Sequence, residues 1–266
     1  MKSTILGAAA VLALSGAAFA ADLEPAPAGG VFGYVSGSYF FEDAIQDWRL
    51  FSDTEKESFG DGYGLQGRLG YRWSEWDFAI GGQYADFGAG NRSDTGDLRA
   101  DNLYADAQAG YNFMWGETAA RTAFGVRYAE WNNDVHDSNG ARIKHDFWGV
   151  GPRVEINTDT PLSENLSLLF DGGVGVLFGK IKTDANSDWN CNECSDENTT
   201  SFNADAKLAL GWAMTPGVKL AAGYQVQYWG NVNVATTDST GFGDNEGKSD
   251  HLIHGPFGMI SFDLSR

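Results

Sequence analysis

Hydrophobic and polar residues alternate strictly between residues 62 and 73. The apolar positions share one parity and are Tyr63, Leu65, Leu69, Tyr71 and Trp73. The other parity holds glycine and the polar residues Gln66, Arg68 and Arg72. Because successive side chains of a β-strand point to opposite faces, this period of two predicts a strand with one apolar and one polar face.

Similar segments recur along the chain and predict about ten strands. The predicted strands are 31–41, 62–73, 76–85, 102–115, 118–131, 143–156, 166–181, 202–214, 218–229 and 252–264. Short connections, such as Ser74 and Glu75, alternate with long ones and predict antiparallel hairpins. We assign Asp159 and Pro161 to one of the short turns. In the last strand, a bulge near Gly255 would reverse the facing of the side chains.

Two architectures contain alternating strands of this kind, the soluble β-sandwich and the transmembrane barrel. A sandwich does not explain polar inward faces, alternating connection lengths or aromatic residues at both strand ends. We therefore predict an all-β fold, a transmembrane antiparallel up-and-down β-barrel over residues 31–266. Eight or twelve strands would result if a loop pairs or a strand is misassigned. Residues near the short turns predict one interfacial girdle, formed by Trp73, Trp76, Phe113, Trp115, Trp212 and Met214.

The N-terminus predicts export. Lys2 precedes an apolar run over residues 5–14, and Ala18 and Ala20 are the small residues that a signal peptidase recognises. We predict a signal peptide over residues 1–20 and a short leader over 21–30. A membrane-spanning helix is the alternative, but it needs roughly 18 apolar residues. Export and a barrel together predict the bacterial outer membrane.

Composition and charge are those of a barrel with acidic loops. The chain holds 35 Gly and 17 Phe but 6 Pro, and its net charge of −18 argues against nucleic-acid binding. The long connections, 42–61, 86–101, 130–142, 182–201 and 230–250, carry 23 acidic and 7 basic residues. These loops should be extracellular, and their charge would gather cations, including the divalent ions that bridge lipopolysaccharide. An ordinary hydrated surface has the same composition.

The inward face of the predicted strands carries both signs of charge. Its basic residues are Arg68, Arg72, Arg121, Arg127, Arg153, Lys207 and Lys219, and its acidic residues are Asp77, Asp106, Glu155, Asp171 and Asp205. Gln66, Gln83, Gln108 and Gln225 share this face. In a narrow barrel such charges can pair across the lumen, so we expect an internal salt-bridge network. Many inward positions are Gly or Ala, which predicts space for a narrow aqueous pore.

The remaining motifs are weaker. Cys191 and Cys194 lie in an acidic loop of an exported chain, which favours a disulfide over a thiolate metal site. Asp184, Asn186, Asp188 and Asn190 have the spacing of calcium ligands, but the motif's glycine and distal glutamate are missing. We therefore predict no metal and no cofactor.

Four histidines lie near aspartates, as in the ten-stranded outer-membrane proteases of the omptin type. The histidines are His136, His145, His251 and His254, and the aspartates are Asp134, Asp137, Asp146 and Asp250. Acidic loops contain such pairs by chance, and the omptin pattern does not match residue by residue. We predict no catalytic residues and a protein that is not an enzyme.

A glycine-rich stretch resembles a known family. Its residues are Phe147, Trp148, Gly149, Val150, Gly151, Pro152 and Arg153, continued by Gly172, Gly173, Val174, Gly175, Leu177, Phe178 and Gly179. They resemble the Legionella-type major outer membrane protein family, most strongly over 143–180. The resemblance implies a pore-forming outer-membrane β-barrel.

These observations predict a porin-like passive channel for small ions or solutes, with a polar lumen and acidic outer loops. A non-conducting structural or adhesive barrel and an omptin-like surface protease are the alternatives. Expected partners are outer-membrane lipid, lipopolysaccharide and, during biogenesis, the barrel assembly machinery. That machinery often recognises a terminal aromatic residue, a role that Phe262 would fill here from an internal position. The pattern predicts neither the permeant solute nor the oligomeric state.

Overall fold

The described residues of a computed structural model form ten strands. The ranges described are 29–44, 60–88, 98–136, 142–185, 196–234 and 248–264, so the predicted signal peptide and the two cysteines lie outside them. The strands are β1 Gly30–Ala44, β2 Gly62–Trp73, β3 Trp76–Phe87, β4 Leu98–Trp115, β5 Thr118–His136, β6 Arg142–Pro161, β7 Leu166–Ala185, β8 Glu197–Thr215, β9 Val218–Val234 and β10 Lys248–Asp263. Over these ranges, no helix is long and apolar enough to cross a membrane.

The strands close into a barrel. Each strand pairs antiparallel with the next, and β1 pairs with β10 from Phe32 opposite Asp263 to Ala44 opposite His251. Closure gives every strand two neighbours, which the hydrocarbon core of a membrane requires because unpaired backbone groups cannot bond to water there. The prediction of an up-and-down barrel of ten strands is confirmed.

Several strands extend further than the sequence pattern predicted. β5 continues to His136 and β7 to Ala185, so residues 130–136 and 182–185 are not loop. Beyond the membrane both strand faces can be polar, so the alternation of hydrophobicity fades while backbone pairing continues. Assigning Asp159 and Pro161 to a turn was also wrong. Both belong to β6, and residues 162–165 form the turn.

The outer surface is an apolar band bounded by aromatic residues. Trp76, Ile80 and Tyr84 on β3 are all about half exposed, and Trp115 and Trp212 mark the border near the short turns. In β10 the bulge considered near Gly255 does not form, because the pairing with β9 is regular there. The register shift lies between Ser249 and His251. Odd-numbered β10 residues such as Ile253 and Phe257 are therefore inward, and Ile260 is outward.

An arginine in the middle of the band should destabilise the barrel. Ile80 lies midway between Trp76 and Tyr84 on the outer face of β3 and is 56% exposed. We expect Ile80→Arg to lower the free energy of unfolding in lipid vesicles by about 2–4 kcal/mol. Asp86→Arg, outward on the same strand but beyond Tyr84, should cost at most about 1 kcal/mol. Urea titrations followed by tryptophan fluorescence measure both, and equal losses would contradict the assigned facing.

Candidate functional site in the barrel interior

All sixteen polar residues assigned to the inward face point into the barrel and form layers of contacts there. The central layer is a charge network, which consists of Arg68, Arg127, Arg153, Asp106, Glu155, Asp171 and Asp205. Arg127 on β5 donates two hydrogen bonds of 2.7 Å to the carboxylate of Asp106 on β4. Its Nη1 lies 3.2 Å from Asp205 on β8, and the whole residue is 1% exposed. Arg153 on β6 lies 2.8 Å from the same Asp205.

Glu155 on β6 is the hub of the charge network. Its carboxylate lies 2.6 Å from Arg68, 3.4 Å from Arg153 and 3.6 Å from Arg121. Gln108 and Asn157 donate further hydrogen bonds of 2.9 and 3.0 Å. Because β2 and β6 are four strands apart around the barrel, the contact between Arg68 and Glu155 crosses the lumen. The carboxylate compensates three cations in a space from which water is almost excluded.

Two acidic partners near the short turns were missed from the sequence. Asp159 pairs with Lys219, and Asp263 lies 2.9 Å from Arg72. The sequence pattern predicts a turn at Asp159, and it does not define the facing of Asp263 because a bulge in β10 would reverse it. Arg121 and Asp77 pair at 2.8 Å in the same part of the barrel. With Asp159 and Asp263 added, the seven inward basic residues have seven acidic counterparts among the described residues between the short turns and the end of the charge network.

Glutamine side chains bridge the interior between the charge network and the loop end. Gln83 on β3 and Gln227 on β9 bond to each other, with the shorter contact at 2.8 Å. Gln66 on β2 donates to the Tyr104 hydroxyl at 2.7 Å and accepts from Lys207 on β8. Gln225 donates to Ser38 at 2.6 Å. Each bridge pairs buried polar groups of two strands that are not neighbours in the barrel.

An aromatic layer closes the interior on the side of the long connections. Its residues are Phe40, Phe87, Tyr104, Trp131 and Trp229. The Trp131 ring centroid lies 5.8 Å from that of Phe87 and 6.0 Å from that of Trp229, and both tryptophans are 0% exposed. The His251 imidazole stacks on Trp131 at 4.6 Å, and Arg127 lies 3.8 Å from the centre of the Tyr104 ring. The layer was missed because Phe87 and Trp131 lie at or beyond the ends of the predicted strands.

Two inward glycines accommodate arginine side chains. A Cβ atom at Gly110 would lie 2.5 Å from Nε of Arg121, and one at Gly173 would overlap the guanidinium of Arg153. At these two positions the expectation of open space is wrong, because guanidinium groups occupy it. Glycine lets the long cations of neighbouring strands fit inside a narrow barrel.

The described histidines and aspartates do not form one cluster. His145 and His251 are buried in the interior, whereas Asp134 and Asp146 face outwards beside Arg142 and Lys144. His254 is outward, with Nδ1 2.5 Å from the Tyr224 hydroxyl. Asp250 instead accepts a hydrogen bond of 2.7 Å from the Tyr228 hydroxyl. Of the other candidate residues, Asp137, Asn186, Asp188 and Asn190 lie outside the described ranges, as does the side chain of His136. Among the residues that are described, no group of three or more His, Cys, Asp or Glu residues could hold a metal ion.

A closed antiparallel barrel with an apolar outer band, aromatic borders and a polar interior defines an outer-membrane β-barrel protein. The family model described as the Legionella pneumophila major outer membrane protein precursor matches residues 36–264. The chain therefore belongs to the Legionella major outer membrane protein family and is a protein of the bacterial outer membrane. The resemblance seen in the sequence is confirmed.

The chain is similar to several solved structures. The outer membrane protease OmpT from Escherichia coli has a TM-score of 0.54 at 8% identity, over 91% of this chain and 98% of that chain. The translocator domain of the autotransporter NalP from Neisseria meningitidis has a TM-score of 0.45 at 11% identity, over 99% and 96%. A major outer membrane protein from Thermus thermophilus has a TM-score of 0.38 at 14% identity, over 88% and 100%. The likeness to OmpT, at 8% identity, shows the fold alone. No curated protein matches the chain.

Proposed function

We propose that the protein is a porin-like passive channel of low conductance and that the described interior is its closed arrangement. The observation that carries this proposal is the redundancy of partners in the charge network. Arg153 has Asp205 at 2.8 Å, Glu155 at 3.4 Å and Asp106 at 3.9 Å. Arg68 has Asp171 at 4.0 Å in addition to Glu155. Each guanidinium can move to a second carboxylate without first becoming an unpaired buried charge.

Because each arginine has a second carboxylate within reach, the side chains can rearrange inside the barrel while the strands stay in place. Removing one partner of a buried ion pair costs about 3–5 kcal/mol, but exchanging one carboxylate for another avoids most of that cost. An apolar filling of the same volume is often at least as stable as buried ion pairs, so stability alone does not explain fourteen inward charges. An ion that enters the network meets charges of both signs, which suits passive diffusion with weak selectivity.

The aromatic layer favours a second candidate, a non-conducting structural or adhesive barrel. Stacked rings with no exposure to water would block ions unless the rings move. In that case the loops would perform the function, and the inward charges would fix the register of the strands. The two candidates differ in one measurable property, which is conductance.

Purified protein in planar lipid bilayers tests the proposal. We expect small, discrete conductance steps in concentrated KCl and a reversal potential near zero in a salt gradient, because the inward charges are balanced. Protein that is folded, shown by the shifted mobility of unheated samples on gels, and that floats with lipid vesicles but stays silent contradicts the channel and supports the non-conducting barrel. Strong preference for anions or cations would contradict the expected weak selectivity, but the protein would still be a channel.

A further inference from the structure

The outer face of β7 changes abruptly from apolar to cationic. Its outward residues are Leu168, Phe170, Gly172, Val174, Val176 and Phe178, followed by Lys180 and Lys182. From Leu168 to Phe178 the strand rises about 33 Å at 3.3 Å per residue, which spans about 25 Å of membrane at a tilt of roughly 40°. This equals the height of the apolar band of such barrels. Lys180 therefore lies at the border of the membrane, on the side of the long connections.

Lys180 lines an open pocket on the outer wall. In the strand register Lys180 is opposite Trp148 on β6 and Asn198 on β8, and Phe178 is opposite Thr200. The cavity measures about 410 Å³ and is lined by Trp148, Phe178, Gly179, Lys180, Asn198, Thr199 and Thr200. Two aromatic rings, an ammonium, an amide and hydroxyl groups line it, with Trp148 and Asn198 opposite Lys180 and Thr200 opposite Phe178. The site therefore combines one positive charge with neutral hydrogen-bond donors.

Lys180 differs from the cations beside it. Arg142 pairs with Asp134, Lys144 lies 3.2 Å from Asp146, and Lys182 lies 2.6 Å from Asp184. Within the described part of the chain, no carboxylate lies within ion-pair distance of Lys180. In a protein of net charge −18, this lysine is an unneutralised cation at the membrane surface. The neighbouring ion pairs are partly exposed to solvent, and such pairs contribute little binding energy.

We propose that the Lys180 cavity binds a phosphate group of the glycolipid in the outer leaflet, lipopolysaccharide. Lys180 would donate to the phosphate oxygens, and Asn198 and Thr200 can donate to the same group. Trp148 and Phe178 would contact the sugar ring and the start of the acyl chains, as aromatic residues do at membrane interfaces. Because the cavity lies at the membrane border, where lipid headgroups are concentrated, the proposed ligand is a lipid headgroup rather than a free anion. This site does not depend on whether the barrel conducts.

The test compares binding of lipid A with two phosphates, fully dephosphorylated lipid A and inorganic phosphate to the folded mature barrel in detergent. We expect Lys180→Gln to weaken binding of phosphorylated lipid A roughly 10- to 100-fold, because it removes a charge-assisted hydrogen bond. Lys180→Arg should retain binding. Arg99→Gln, an exposed cation on β4, should change the affinity by less than about two-fold.

Three results would overturn the proposal. Equal affinities of the unaltered protein and Lys180→Gln would show that the lysine does not bind the phosphate. Equal affinities for phosphorylated and dephosphorylated lipid A, measured on the unaltered protein, would show that no phosphate is recognised. Inorganic phosphate binding as tightly as phosphorylated lipid A, and displacing it, would show a free-anion site. The second and third measurements need no variant and hold even if one fails to fold.

Discussion

Glu155→Gln is expected to lower the free energy of unfolding by about 3–5 kcal/mol, the cost of breaking a buried ion pair. The carboxylate of Glu155 lies within 3.6 Å of Arg68, Arg121 and Arg153 and is 1% exposed. Glutamine has nearly the same shape but no charge, so the loss reports electrostatics rather than packing. The three guanidinium groups would then share the remaining carboxylates, of which Asp171 is 4.0 Å from Arg68.

Urea titration in lipid vesicles, followed by tryptophan fluorescence, measures this loss. Glu164→Gln makes the same chemical change on an exposed turn and should shift stability by no more than about 0.5 kcal/mol. Adding Arg68→Gln to Glu155→Gln should recover part of the loss, because it removes a cation that the first change left without its nearest partner. If Glu155→Gln costs no more than Glu164→Gln, Glu155 is not the hub of the network.

Trp131→Ala is expected to raise the single-channel conductance several-fold. The Trp131 ring lies between Phe87, Trp229 and His251, so its removal separates the three and opens the aromatic layer. The same change should lower the free energy of unfolding by about 3–5 kcal/mol, because a large buried side chain is lost. An increase in conductance together with reduced stability would place the narrowest part of the path at this layer.

Planar bilayer recordings of Trp131→Ala and Trp115→Ala test this expectation. Trp115 is 61% exposed on the outer surface near a short turn, so its replacement leaves the interior unchanged. Conductance of Trp115→Ala should match that of the unaltered protein. If folded Trp131→Ala shows the same steps as Trp115→Ala, the aromatic layer does not limit conduction. If both are silent, the channel proposal fails and the non-conducting barrel is supported.

Local alternation was sufficient to predict the fold and, except in β10, the facing of side chains in the predicted strands. Leu65 and Ile80 are outward and Gln66 and Asp77 inward, because each strand reports its own two faces through a period of two. Connection lengths added the antiparallel order. Both kinds of information come from neighbouring residues and survive small errors in strand ends.

Contacts across the interior could not be predicted in this way. Arg68 and Glu155 are 87 residues apart, and Gln83 and Gln227 are 144 apart. Alternation predicts that these side chains face inward, but it does not predict their positions along the barrel axis. Those positions depend on the stagger between all the strands of the closed barrel. The aromatic layer was not predicted for another reason. Trp131 lies where the outer face becomes polar, so the pattern that identifies a strand ends there.

The pairing of β1 with β10 also has a consequence for folding kinetics. Phe32 and Asp263 come from opposite ends of the described chain, so this ladder is the contact of greatest sequence separation in the barrel. Bringing such distant segments together has the largest entropic cost of loop closure in the barrel. The effective loop becomes shorter only after the eight strands between them have paired. Closure should therefore be the last step and should set the rate of assembly. Until it occurs, both terminal strands expose a complete row of backbone donors and acceptors to which another chain can bind.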